Sequence, residues 1–281
     1  MFLKLILYTS FALLAFAFNS ILCRLALRGE EADAVGFTAV RLLSGAVTLI
    51  VISYFFSKNK GTLNSGSWPS ALFLFAYAIC FSLAYLDLTT GTGALVLFSS
   101  VQLTMIVVSL VRGERPGIVE WLGLVVAAGG LVYLLLPGAE SPPLAAAGLM
   151  AAAGVAWGFY TLRGKGSKDP ISDTAGNFVR AVPMIVIVAV PFISQLHLSG
   201  RGLLLAVLSG ALASGIGYSF WYAALKYHTA FRAAVLQLPV PLLTAVGGIA
   251  FLGEIATVRL GLASVLILGG IGLTIYGRRP G

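Results

Sequence analysis

Residues 103–130, LTMIVVSLVRGERPGIVEWLGLVVAAGG, return 140 positions later as residues 243–270, LTAVGGIAFLGEIATVRLGLASVLILGG. Leu103-Thr104 lands on Leu243-Thr244, Gly113-Glu114 on Gly253-Glu254 and Gly129-Gly130 on Gly269-Gly270, with no gap. Carried upstream, the same shift superposes Ala84, Thr89 and Ala94 on Ala224, Thr229 and Ala234. A period this long is not a solenoid period; it marks two fused copies of one helical bundle. If each copy holds an odd number of membrane spans, the copies face opposite ways, an architecture recurrent among secondary transporters.

Composition supports spans. Of 281 residues, 59% are hydrophobic and 10% charged, with a mean hydropathy of +0.98. A soluble domain carries roughly 25% charged residues, so that class is excluded. Ten apolar segments emerge, at about 3–23, 35–56, 68–87, 90–111, 117–136, 143–162, 174–195, 201–224, 230–252 and 256–277, most near the length that crosses a bilayer. The connector from Gly138 to Pro143 divides the chain into halves 1–138 and 139–281, five spans each. Lys4 before the first apolar run resembles a signal sequence, but no small-residue cleavage pattern follows, so this run reads as a retained span.

The net charge of +8 comes from basic residues placed one to three at a time between apolar runs. That is the distribution of cytoplasmic loops, and no nucleic-acid partner is expected. With the N-terminus inside, the inner loops hold Lys4, Lys58, Lys60, Arg112, Arg115, Arg163, Lys165, Lys168, Lys226, Arg232, Arg278 and Arg279. The outer loops hold Arg24, Arg28, Arg201 and Arg259. Both termini are therefore expected in the cytoplasm, with the two halves inverted.

Catalytic chemistry finds no support. Ala213-Ser214-Gly215 lacks the preceding Gly of a rhomboid-type protease motif, His197 and His228 fall in loops, and no span holds two acidic residues. There is no P-loop. Cys23 and Cys80 have neither disulfide nor metal spacing, and no metal or cofactor is expected.

Polar groups within spans are costly and face the bundle interior. Asn19, Gln102 and Gln237 stand out; each amide can bind a solute or a neighbouring helix. Gln102 and Gln237 are not symmetry mates, since the shift pairs them with Leu242 and Leu97. Tyr77, Phe81 and Tyr85 are spaced by four and share a helical face, as do Tyr218 and Tyr222, with Trp221 alongside. Trp157 and Tyr160 sit in the sixth span. Such rings line a cavity or face lipid. Arg41 and Arg180 occupy near-equivalent places in the repeat, and Glu254 and Glu114 end the ninth and fourth spans on the matching faces. Two expectations follow: either Arg41–Glu254 and Arg180–Glu114 form contacts that change as the ends open, or the carboxylates serve helix N-termini while the arginines snorkel. Pro239 and Pro241 are expected to interrupt the ninth span.

The stretch Val101-Gln102-Leu103-Thr104-Met105 to Arg112-Gly113-Glu114-Arg115, then a Gly-Gly span, resembles the first repeat of EamA-type transporters of the drug/metabolite transporter superfamily. Gln237-Leu238-Pro239-Val240-Pro241 to Gly253-Glu254, then Gly269-Gly270, resembles the second, and Trp157-Gly158-Phe159-Tyr160 its opening helix. The first repeat departs from this by opening with Phe18-Asn19. The resemblance covers nearly the whole chain. It implies an all-α membrane protein with ten helices in two inverted five-helix repeats around a central cavity. The first, third, fourth, sixth, eighth and ninth spans would surround that cavity, so Asn19, Tyr77, Gln102, Trp157, Tyr160, Tyr218, Tyr222 and Gln237 are the expected substrate-binding residues. The expected gating residues are Arg41, Arg180, Glu114, Glu254, Pro239 and Pro241. The expected activity is secondary transport of a small-molecule substrate, amino-acid efflux among the options, across the bacterial inner membrane. A channel-like pore and a lipid-flippase component are the competing classes, and the oligomeric state is left open.

Overall fold

The computed structural model describes residues 2–57, 65–111, 117–136, 138, 141–165, 167–225, 227 and 236–277. Among them are ten helices: α1 (Phe2–Arg28), α2 (Ala34–Phe56), α3 (Trp68–Ala84), α4 (Thr90–Val111), α5 (Ile118–Leu135), α6 (Leu144–Gly164), α7 (Pro170–Ala189), α8 (Gly200–Leu225), α9 (Pro239–Leu252) and α10 (Val258–Tyr276). Seven are long and apolar enough to cross a bilayer, and α3, α9 and α10 are shorter apolar helices. A π-helical stretch, Ser209–Ile216, lies inside α8.

Burial is inverted relative to a soluble protein. Large apolar side chains such as Phe55, Phe56, Ile118 and Val265 are exposed, while Asn19, Arg41, Gln102 and Gln237 are buried. Hydrocarbon solvates the first set, and only the bundle interior offers partners to the second.

Local chemistry sets the helix ends. Asp33 caps α2, accepting from the Gly36 N–H at 2.7 Å. The seventh helix begins at Pro170, four residues before the hydropathy estimate of 174. Asp169 caps it and Pro170 takes the first turn, where a missing N–H costs nothing. Pro239 and Pro241 occupy the opening turn of α9. Leu236 before it is helical and Gln237–Leu238 form a turn, so the prolines follow directly on a break in the helical backbone of the ninth span. Gly253 ends α9 with φ 63°, a left-handed conformation that glycine adopts without strain.

The halves interlock. α1 packs on α8 and α9, and the matching helix α6 packs on α3 and α4. α2 packs on α8 as α7 packs on α3, while α2–α7, α4–α9 and α5–α10 are self-equivalent pairs. Direction is read from the ends. Arg24, near the C-terminal end of α1, donates to the Tyr85 and Leu86 carbonyls just beyond the C-terminus of α3. Arg163, near the C-terminal end of α6, reaches Ser67 and Ser70 at the N-terminus of α3. α1 and α6 therefore run oppositely, and the repeats are inverted.

Small residues set the helix spacing, but only on one face. A Cβ at Gly130 would come 2.7 Å from Leu266 Cβ, and one at Gly270 would come 2.6 Å from the Gly123 carbonyl. At Gly129 and Gly269 it would meet nothing within 4 Å. One glycine of each pair thus lets α5 and α10 touch, and the other looks outward. Gly270→Leu should therefore destabilise the protein by about 1–3 kcal/mol through overpacking, and Gly269→Leu should stay within about 0.5 kcal/mol. Thermal unfolding in detergent reads both; equal losses would remove the one-faced account.

Candidate functional site

An aromatic core fills the middle of the bundle. Trp157 of α6 is its hub, with ring centroids 5.0 Å from Tyr77 of α3, 4.8 Å from Tyr218 of α8, 5.7 Å from Phe16 of α1 and 5.6 Å from Tyr160. Tyr160 meets Tyr222 at 6.2 Å, and the expected Tyr77–Phe81–Tyr85 face continues the cluster at 5.4 and 4.7 Å. All these rings are buried, so none of them faces lipid. A void of about 10 Å³, roughly what one water needs, lies among Phe16, Ser20, Tyr77, Phe81, Leu97, Phe98 and Trp157.

Hydrogen bonds thread this core. Trp157 Nε1 donates to Gln237 Oε1 at 3.3 Å, tying α6 to the segment that opens α9. Asn19 of α1 donates through Nδ2 to the Tyr77 hydroxyl at 3.3 Å, and its Oδ1 accepts from the Ser209 hydroxyl at 2.6 Å. Seven of the eight expected binding residues thus meet in one place. Gln102 lines a second void of about 10 Å³ between α4, α5 and α10, beside Ser99, Ala127, Ile267 and Thr274.

Arg41 is the largest departure from expectation. Neither snorkelling nor paired with Glu254, it is 1% exposed and reaches into the aromatic core. Its Nε donates to Ser214 Oγ at 3.2 Å, and its Nη2 donates to the Tyr77 and Tyr218 hydroxyls at 3.1 and 3.4 Å. The guanidinium lies over the Tyr77 and Phe81 rings, 5.2 and 5.1 Å from their centroids. The π-stretch makes this placement. Gly210 and Gly215 are five residues apart, which the i→i+5 ladder brings toward one face, and both abut α2, at Arg41 and Thr48. Sequence reasoning had Ser214 in view only as a rejected protease serine and overlooked Ser209 and Phe16. The Gly210–Gly215 spacing was the signal available.

Glu254 does serve a helix N-terminus, though that of α4 and not of the following α10. The Thr90 N–H donates to its two oxygens at 3.1 and 2.9 Å, the Thr90 hydroxyl donates at 2.5 Å, and Arg24 Nε lies 3.7 Å away. Arg28 donates to the Leu252 carbonyl at 2.8 Å. One end of α1, α3, α4 and α9 is thus pinned together. At the opposite end Arg163 holds Ser67 and Ser70, Ser57 donates to Asp169, and Arg180 donates to the Ser65 and Gly176 carbonyls. Arg180 is therefore no counterpart of Arg41 in environment. Its expected partner Glu114 lies outside the described residues.

A ten-helix inverted repeat around a polar and aromatic core is a carrier architecture, and the comparisons identify which one. The model of the EamA-like transporter family matches twice, at residues 3–136 and 144–276. The chain belongs to the EamA-like transporter family. As a member it is a multi-pass membrane transporter of small molecules and not an enzyme. It is 50% identical to the uncharacterized protein PA1977 of Pseudomonas aeruginosa over 97% of this chain and 95% of that one. It is 30% identical to the threonine/homoserine exporter RhtA of Salmonella typhimurium over 88% of this chain and 83% of that one. A solved crystal structure, 21% identical, superposes with a TM-score of 0.69 over 96% of this chain and 99% of that one, which shares the fold.

Proposed function

We propose that this EamA-like transporter is a secondary carrier that exports amino acids across the bacterial inner membrane by alternating access, with both termini in the cytoplasm. The observation carrying this is the pair of polar ties, Arg24–Glu254–Thr90 at one end and Arg163–Ser67–Ser70 at the other, closing off a shared core between interlocked inverted repeats. Ion pairs and hydrogen bonds of this kind exchange for others on opening, whereas a packed apolar plug does not. On the twelve-to-four bias of basic residues the Arg24 end is the outer one. The halves 1–138 and 139–281 are taken as the moving units. Gating falls to Arg24, Glu254, Arg163 and Arg180, with the Pro239–Pro241 turn as a joint. Amino acids are favoured by the threonine/homoserine exporter among the relatives and by the ring-lined core.

Liposomes carrying the purified protein and preloaded with unlabelled threonine or leucine should take up the labelled amino acid faster than empty ones, with saturation. Equal, unsaturable uptake into loaded and empty vesicles would make the protein a pore. Movement of labelled lipid headgroups alone would place it among lipid-handling members of the fold.

A further inference from the structure

We propose that Arg41 is the anchor for the carboxylate of the transported solute, an inference that rests on the carrier reading above. The other described arginines held by bonds find an anion or a solvated route. Arg24 and Arg201 meet Glu254 and Glu31, while Arg28, Arg180 and Arg259 donate to backbone carbonyls, and Arg163 bonds hydroxyls at a partly exposed helix end. Arg41 is buried and has none of these. Its partners are three neutral hydroxyls and two ring faces, which solvate a cation without neutralising it.

The donor count points to what completes the site. Arg41 Nη1 is buried and its two N–H groups have no acceptor among the described residues. The Tyr77 and Tyr218 hydroxyls both accept from Nη2 and also bond each other, so the pair keeps one proton to donate. Asn19 adds a further donor to Tyr77. Donors therefore outnumber acceptors around one uncompensated cation in a low-dielectric interior, which is the inverse of a carboxylate. A single cation matches a single negative charge, so the ligand class is a small monocarboxylate, amino acids included. Tyr77 and Phe81, over which Arg41 lies, also line the water-sized void with Phe16 and Trp157, so these rings are the apolar surface that the carbon body of the solute meets once the core opens.

The test compares each acid with its amide in the purified protein. Thermal stabilisation in detergent is measured with L-leucine, L-leucinamide, L-threonine and L-threoninamide, on wild type, Arg41→Gln and Arg41→Lys, beside counterflow in liposomes. Wild type should be stabilised by the acids at concentrations about 10- to 100-fold lower than by the amides, the range of a charge-assisted hydrogen bond. Arg41→Gln should erase that preference, and Arg41→Lys, a point charge without the planar fork, should restore part of it. Amides that stabilise wild type as well as the acids do, or no stabilisation by any of the four, would overturn the anchor without appeal to any variant. Counterflow without acid preference removes the anchor and leaves the carrier; acid preference without counterflow does the reverse.

Discussion

Glu254→Ala should destabilise the protein by about 3–5 kcal/mol, the scale for removing one partner of a buried ion pair. The carboxylate is enclosed by the Thr90 N–H and hydroxyl, Arg24 and Gly248, whose missing Cβ gives Thr90 and Glu254 their space. Its loss leaves the α4 N-terminus and the Arg24 guanidinium without their anion, with Arg24 only 11% exposed. Arg24→Gln should lose less alone, because its carbonyl contacts to Tyr85 and Leu86 concern α3 only. A double-mutant cycle is decisive. Arg24→Gln with Glu254→Gln should show a coupling energy of at least about 0.5 kcal/mol, while Arg41→Gln with Glu254→Gln, which share no partner, should add. Thermal unfolding and counterflow rates provide the readouts. Additivity of the Arg24–Glu254 pair would dissolve the proposed outer gate.

Gly210→Leu should abolish folded protein altogether. A Cβ at this position overlaps the Ser44 hydroxyl and the Arg41 carbonyl, and would sit 2.9 Å from the Arg41 carbonyl carbon. Backbone cannot rotate aside as a side chain can, so the cost exceeds the about 1–3 kcal/mol usual for overpacking. Gly253→Leu makes a useful contrast: it is set in open space, and its penalty comes only from φ 63°. Size-exclusion yield in detergent distinguishes them. A monodisperse, active Gly210→Leu protein would mean that α8 does not lie on α2 as described.

The fold was legible because a duplicated odd-span bundle has few ways to pack, and the 140-residue shift shows the duplication directly. The aromatic faces were legible for a similar reason: spacing by four fixes a helical face, and Tyr77, Phe81 and Tyr85 needed only a neighbour. Arg41 was misread because two of its three hydroxyl partners lie in the other half, 173 and 177 positions away at Ser214 and Tyr218, and no periodicity links them. The repeat itself misled there, since it made Arg41 and Arg180 equivalents that the structure treats differently. Arg24 was counted as an outer-loop charge, and hydropathy has no view of the pair it forms. Gln102 satisfied every sequence criterion for the core, yet points toward α5 and α10, because helix rotation is set by packing.

Interlocking has a consequence for the birth of the molecule. When α2 enters the membrane, Ser214 and Tyr218 do not yet exist; at about 5–20 residues per second they follow roughly 10–35 s later. For that interval Arg41 and Asn19 lie in a half-made protein whose receiving surface, α8, is not yet synthesised. The polar groups of the first half thus find their later partners only after the second half is made. Synthesised as separate polypeptides, the two halves should each be degraded alone and accumulate together.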